Sequence, residues 1–222
     1  VYLVDSPATS IVASDRVARV YRGILGANTV DAQGTGMHLD PASGWCQGVQ
    51  VCPSPNFNAR PTGEISLLVI HNISLPPAQF ATGKVQAFFQ NRLDVTEHPY
   101  FEGIADLRVS AHFLIERDGK VTQFVSCLER AWHAGVSVFE GRETCNDFSV
   151  GIELEGTDDL PFTDAQYNAL TALTLQLQSA FTAITAQRIC GHSDIAPGRK
   201  TDPGPAFDWA RYRAALAKEE QQ

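Results

Sequence analysis

Two histidines and an aspartate in this 222-residue chain, His71, His192 and Asp202, are of the types that hold zinc. Three such ligands leave a fourth tetrahedral position for water, as in a catalytic rather than a structural site. A carboxylate beside the metal can take a proton from water and hand it to a leaving amine, and Glu153 is the candidate for that role. Lys200 can stabilise the oxyanion of a tetrahedral intermediate. His192, Lys200 and Asp202 share one stretch, 191–205, in which Pro197, Pro203 and Pro205 restrict the backbone. Asp202 precedes Pro203 and is expected to be extended, which would turn Lys200 and Asp202 to the same side. The same composition also describes a solvated, proline-rich surface loop. The ligands are scattered and no short zinc motif such as His-Glu-x-x-His is present, so spacing alone does not choose between the two.

Other residues offer competing chemistry. Cys190 stands two positions before His192, the ingredients of a thiol hydrolase, but closeness in sequence is not spatial contact and buried cysteines are usually inert. Gly198-Arg199-Lys200-Thr201 lacks the glycine spacing of a phosphate loop. Trp132 and His133 lie together in a loop-like stretch; they read either as the wall of a substrate groove or as a packed corner. His98 reads as solvated and His112 as a core or surface residue.

Elements must bring these groups together. The run 65–70 is apolar except for Ser66 and reads as a strand buried on both faces, with His71 at its C-terminal end, where open α/β sheets place ligand chemistry. Val85, Phe88, Phe89 and Leu93 have helical spacing, with Thr82 as N-cap. Arg117-Asp118-Gly119 between two alternating runs predicts a hairpin. Residues 150–155 alternate, so that Val150, Ile152 and Leu154 form one buried face and Gly151, Glu153 and Glu155 the other; the two glutamates read as acid/base groups or as a solvated strand face. Thr163 to Gln166 forms a capping box for a helix to about 181, and Asp208 caps a last helix from 209 to about 218. Residues 45–61 read as a loop. Strand, helix, hairpin, strand and helix together predict an α/β domain with a mixed sheet and helices on its faces.

Length and composition bound the rest. The chain is long enough for one sizeable core, and 44% hydrophobic with 19% charged residues is ordinary for a soluble globular protein. A formal net charge of -8 argues against nucleic acid or an anionic membrane as partner, and no apolar run approaches the roughly 20 residues of a membrane span. Five cysteines without framework spacing point to a reducing compartment, with a Cys46–Cys52 pair as the oxidised alternative. Residues 1–36 carry no secretory signal; 17–25 has helical period with Ser14 or Asp15 as cap, and 26–36 is loop-like. Met37 is the only methionine, and the natural start is expected there, with 1–36 an extension that is either encoded upstream or not native.

The motifs Cys52-Pro53-Ser54-Pro55-Asn56-Phe57-Asn58-Ala59-Arg60-Pro61, Leu68-Val69-Ile70-His71-Asn72-Ile73-Ser74, Ser110-Ala111-His112-Phe113, Ala131-Trp132-His133-Ala134-Gly135, Gly151-Ile152-Glu153-Leu154-Glu155-Gly156 and the 191–205 stretch run in an order that resembles the cytoplasmic 1,6-anhydro-N-acetylmuramyl-L-alanine amidases of bacteria. The resemblance covers 37 to about 217, making 37–222 one amidase domain. It implies a single-domain α/β fold shared with phage T7-type amidases and peptidoglycan recognition proteins, a central mixed β-sheet flanked by helices. It implies one zinc on His71, His192 and Asp202, with Glu153 activating water and Lys200 stabilising the transition state. Asn72, Arg108, Trp132 and His133 are carried over as substrate contacts; Thr144 stands where some relatives have a second basic residue. The implied reaction is hydrolysis of the lactyl–L-alanine amide of recycled anhydromuropeptides by a cytoplasmic monomer, limiting β-lactamase induction. The partner is a small muropeptide, not nucleic acid or membrane. The rival is a binding module that holds muropeptide without cutting it, which would have lost a ligand or the base; here both are present.

Overall fold

The computed structural model describes residues 36–219. The expected helix at 17–25 and the extension that contains it lie outside the described residues. A six-stranded mixed sheet organises the rest: β1 (Gln50–Val51), β2 (Leu67–Ile73), β3 (Phe113–Ile115), β4 (Val121–Gln123), β5 (Ser149–Glu155) and β6 (Ile189–Gly191), in the spatial order β6-β2-β5-β3-β4-β1. β5 runs parallel to both β2 and β3, β6 is parallel to β2, and β1 is parallel to β4. Only β3 and β4 are antiparallel, joined by the expected turn, in which the Gly119 N–H donates to the Glu116 carbonyl and Gly119 takes a φ of 86°.

Alternation along β2 and β5 sorts their side chains between two faces. Leu68, Ile70, Val150, Ile152 and Leu154 face a core shared with Tyr167, Leu170, Leu173 and Leu177 of α3 (Asp164–Ala180) and with Tyr212 and Leu216 of α5 (Trp209–Glu219). The opposite face of β2 carries Leu67 and Val69, packed with Ala134, Phe148 and Ile195. A third cluster joins Val85, Phe88 and Phe89 of α1 (Lys84–Phe89) to Phe101, Leu114 and Phe124. Phe101 belongs to the short α2 (Pro99–Glu102), and the partly exposed His98 caps it by accepting from the Tyr100 N–H.

The capping box of α3 is present in both directions: Thr163 Oγ1 accepts from the Gln166 N–H, and Gln166 Oε1 accepts from the Thr163 N–H. Asp208 accepts from the Arg211 N–H at the start of α5. The structure corrects three sequence expectations. α1 starts after Gly83, at a φ of 72°, one residue later than a Thr82 cap requires, and Leu93 lies outside it. Stretch 45–61 is not simply loop: it supplies β1 and the strand Phe57–Ala59, which pairs with Glu129–Ala131. Those partners lie some seventy positions away in sequence, where local pattern cannot reveal them. β5 is buried at all seven positions, not on one face only, because β2 and β3 flank it and side chains cover both sides. Among the described residues no helix is long and apolar enough to cross a membrane.

Candidate active site

His71 lies on β2, in register with Glu153 of β5, so both side chains project from the sheet face away from α3. β6 pairs on the other side of β2, with Gly191 opposite Ile70. The next residue, His192, opens the short α4 (His192–Ile195) and so emerges beside His71. Asp194 accepts from the Gly191 N–H and braces this turn, as a loop carboxylate rather than a ligand. The chain then returns so that the Asp202 carbonyl accepts from the Ser193 N–H. Asn72, next to His71, holds that return in place: its amide donates to the Pro203 carbonyl at 3.0 Å and to Asp158 Oδ1 at 2.7 Å.

The result is a near-equilateral triangle. His71 Nδ1 and His192 Nδ1 are 3.0 Å apart, and Asp202 Oδ2 is 3.0 Å from each. Ligand atoms of a tetrahedral zinc, about 2.0–2.2 Å from the metal, stand roughly 3.3 Å from one another, so the donor set fits with small adjustments. The chemistry of the donors points the same way. His192 Nε2 lies 3.0 Å from the Ala134 carbonyl, which can only accept. In the neutral ring its proton is therefore on Nε2, and Nδ1 presents a bare lone pair to the triangle. Burial pushes the His71 imidazole down to about 4, so it is neutral at pH 7. Burial would raise the Asp202 carboxyl, but the adjacent imidazoles of His192 and His71 prevail and hold it well below the usual carboxylate range. A neutral imidazole at His71 and an ionised carboxylate at Asp202 are the protonation states in which such groups ligate a metal.

Glu153 and Glu155 share one face of β5 but differ in partners. Glu155 accepts from the backbone N–H groups of Ala81 and Arg117 and is a structural carboxylate. Glu153 is buried, and its Oε2 has no hydrogen-bond partner. Burial, and then the negative charge of Asp202, raise its carboxyl well above the usual range, while Lys200 acts in the opposite sense. A carboxyl whose proton affinity is raised in this way is suited to taking and releasing a proton. Lys200 is half-buried, and its charge also acts on His71.

The carried-over substrate contacts fare differently. The Asn72 amide is engaged in loop bracing rather than turned to a groove. His133 has both ring nitrogens occupied, Nδ1 at 2.9 Å from His71 Nε2 and Nε2 at 3.1 Å from Ser149 Oγ, so it stands behind the candidate ligand His71. Arg108 is exposed, and its Nη1 donates locally to the carbonyls of Ala105 and Leu107. Trp132 is half-buried with its indole N–H on Asn58 Oδ1 at 2.7 Å. Its body remains available as a flat apolar face.

The residue reading missed a supporting layer. The buried guanidinium of Arg60 donates to the carbonyls of Cys127, Asn146 and Ser149, and burial lowers it to about 10, still charged at neutral pH. His112 is a core residue: its Nδ1 accepts from the Gly151 N–H and its Nε2 lies 3.0 Å from the Glu129 carbonyl. The Asn146 side-chain oxygen accepts from the N–H groups of His133 and Ala134. The one signal in the sequence was the pair of small residues, Ser149 and Gly151, on the same face of the strand as Glu153. The Cys190 thiol is pushed up to about 12 by burial, which argues against a thiol nucleophile.

The chain is similar to known proteins over most of its length. Residues 61–205 match the family described as N-acetylmuramoyl-L-alanine amidase. The chain is 56% identical over 177 residues to the 1,6-anhydro-N-acetylmuramyl-L-alanine amidase AmpD of Escherichia coli (strain K12), covering 79% of this chain and 96% of that protein. A crystal structure of an AmpD derivative superposes with a TM-score of 0.78 at 56% identity, covering 81% of this chain and 99% of that one. The E. coli amidase AmiD, solved with anhydro-N-acetylmuramic acid-L-Ala-D-γ-Glu-L-Lys, superposes with a TM-score of 0.51 at 30% identity, covering 68% of this chain and 57% of that one. With its mixed sheet, its His-His-Asp triangle and relatives of this identity across most of its length, the chain belongs to the N-acetylmuramoyl-L-alanine amidase family.

Proposed function

We propose that the protein is a zinc-dependent amidase that hydrolyses the amide between the lactyl group of 1,6-anhydro-N-acetylmuramic acid and L-alanine. The observation that carries this reading is the 3.0 Å triangle of His71, His192 and Asp202 with Glu153 in register beside His71. His71, His192 and Asp202 would hold the metal. When bound, zinc acts as a Lewis acid on the amide carbonyl and makes water at the site more acidic.

The chain's own groups do the rest. Glu153 accepts a proton from the attacking water at its unpartnered Oε2 and delivers it to the amide nitrogen of the departing L-alanine. Its burial is what raises its proton affinity above that of an ordinary glutamate. Lys200 supplies positive charge where the carbonyl oxygen becomes an oxyanion. Trp132 offers its ring to the sugar or the peptide stem. AmpD, at 56% identity, is named for action on anhydromuramyl peptides, which supports that substrate over intact wall. Free thiols at Cys52, Cys127, Cys145 and Cys190 support action in the reducing cytoplasm on recycled wall fragments, where removal of the peptide would limit β-lactamase induction.

The test is to incubate zinc-loaded protein with anhydromuramyl tripeptide and with intact sacculi and to follow free peptide by mass spectrometry. Release from the small muropeptide, abolished by chelator and restored by zinc, is the expected result. Release from sacculi alone would overturn the substrate assignment, and turnover that survives chelation would overturn the metal. A muropeptide-binding module would bind the tripeptide and release nothing.

A further inference from the structure

His71 is the ligand most enclosed by other side chains, and its ring is gripped from behind. His71 Nε2 is 2.9 Å from His133 Nδ1, and the two rings meet edge to face with centroids 5.0 Å apart. The far nitrogen of His133, Nε2, is 3.1 Å from Ser149 Oγ. Ser149 is fixed in its turn, since it is fully buried on β5 and its carbonyl accepts from Arg60 at 2.8 Å. The His133 ring lies directly over Gly151: a Cβ at that position would stand 2.5 Å from His133 Nδ1 and 2.6 Å from its Cγ, distances no real side chain occupies. The absence of a side chain at 151 is therefore what admits the ring. Its backbone is held by its own N–H donating to His112 Nδ1 at 3.0 Å, and the His112 ring stands edge-on to His133 at 5.7 Å.

We propose that His133 is a positioning residue for the ligand His71, with Ser149 accepting from its far nitrogen and Gly151 providing its slot. The proposal rests on the zinc reading above. Once Nδ1 of His71 faces a metal, its only ring proton is on Nε2, and His133 must accept it at Nδ1. His133 then carries its own proton on Nε2 and donates to Ser149 Oγ. The chain of donors runs one way, from the metal ligand outward to the strand next door. It fixes both the rotation of the His71 ring and the nitrogen it offers. His192 has the equivalent anchor in the Ala134 carbonyl, which also accepts from Arg199 at 2.8 Å. The two imidazoles of the triangle are thus oriented by different means, one by main chain and one by a side-chain relay. Outer partners of this kind commonly change metal affinity by about 10–100-fold.

Two measurements test it. In zinc-loaded protein carrying 15N-histidine, long-range proton–nitrogen NMR should show His71 and His133 both protonated at Nε2; His133 protonated at Nδ1 would overturn the relay. In competition with a chromophoric chelator, His133→Phe should weaken zinc about 10–100-fold and His133→Gln should recover part of that, because an amide oxygen can accept the His71 proton. Ser149→Ala should weaken zinc several-fold while the melting curve of the zinc-free protein stays in place, and it serves if His133→Phe fails to fold. Zinc affinities within twofold of the parent in the folded variants would overturn the proposal and leave the zinc reading intact. A parent protein that binds no zinc would overturn both.

Discussion

His71 and Glu153 are direct partners on adjacent parallel strands, β2 and β5, and both are buried. Parallel pairing in register sends both side chains to the same face, so the proposed metal ligand and the proposed proton carrier come from one strand pair without any loop. Their separation is set by the pairing of the two strands.

Glu153→Gln separates catalysis from stability. Turnover should fall by about 10²–10⁴-fold while the zinc content is unchanged. The raised proton affinity of Glu153 means that ionising it opposes folding: its contribution is fully present below the ordinary glutamate value and is lost as pH rises through the raised one. Replacing the carboxyl with an amide should therefore stabilise the metal-free protein relative to the parent at pH values above the ordinary glutamate range. Urea unfolding of both forms in chelator measures this. A variant no more stable than the parent would count against a strained carboxyl at this position.

Asp202→Ala leaves two imidazole lone pairs facing each other without the carboxylate. Zinc content after dialysis should drop from near one equivalent to near none. Metal analysis showing a full equivalent in this variant would remove Asp202 from the ligand set.

Acid should unfold the metal-free protein early. Burial lowers the imidazole of His71 to about 4 and that of His112 to about 3, and lowers that of His133 as well. These groups contribute stability that is present above the ordinary histidine value near 6.5 and is lost as pH falls through the lowered values. His71 alone accounts for roughly 3 kcal/mol over that window. Glu153 acts in the opposite sense, one carboxyl against three imidazoles. The urea midpoint in chelator should fall steeply between pH 6.5 and 4. A flat profile there would show that these rings are not held neutral by the fold.

Lys200→Ala should lower kcat by about 10–100-fold with a smaller rise in KM, because an oxyanion exists only in the transition state. Steady-state kinetics on anhydromuramyl tripeptide would distinguish this from a ground-state contact, for which KM would carry the change.

Much of the scaffold was legible from local pattern. The hairpin at Arg117-Asp118-Gly119, the Thr163–Gln166 capping box and the apolar strand ending in His71 are each encoded within a few residues, because turn chemistry, capping and alternation act over that range. The ligand candidates were legible too, by residue type and by their resemblance to a family. What the chain could not display locally was the set of partners. Glu153 and Glu155 look alike in sequence, and only the packed structure shows that Glu155 accepts two backbone N–H groups while Glu153 Oε2 has none. Trp132 and His133 are neighbours, yet one points its indole to Asn58 and the other is closed between His71 and Ser149. A hydrogen-bond partner sixty positions away is chosen by strand order and register, and those are settled only when the sheet assembles. The sequence by itself determined which chemical groups are present and which short elements carry them; the tertiary structure decided which of those groups are satisfied and which are left free to act.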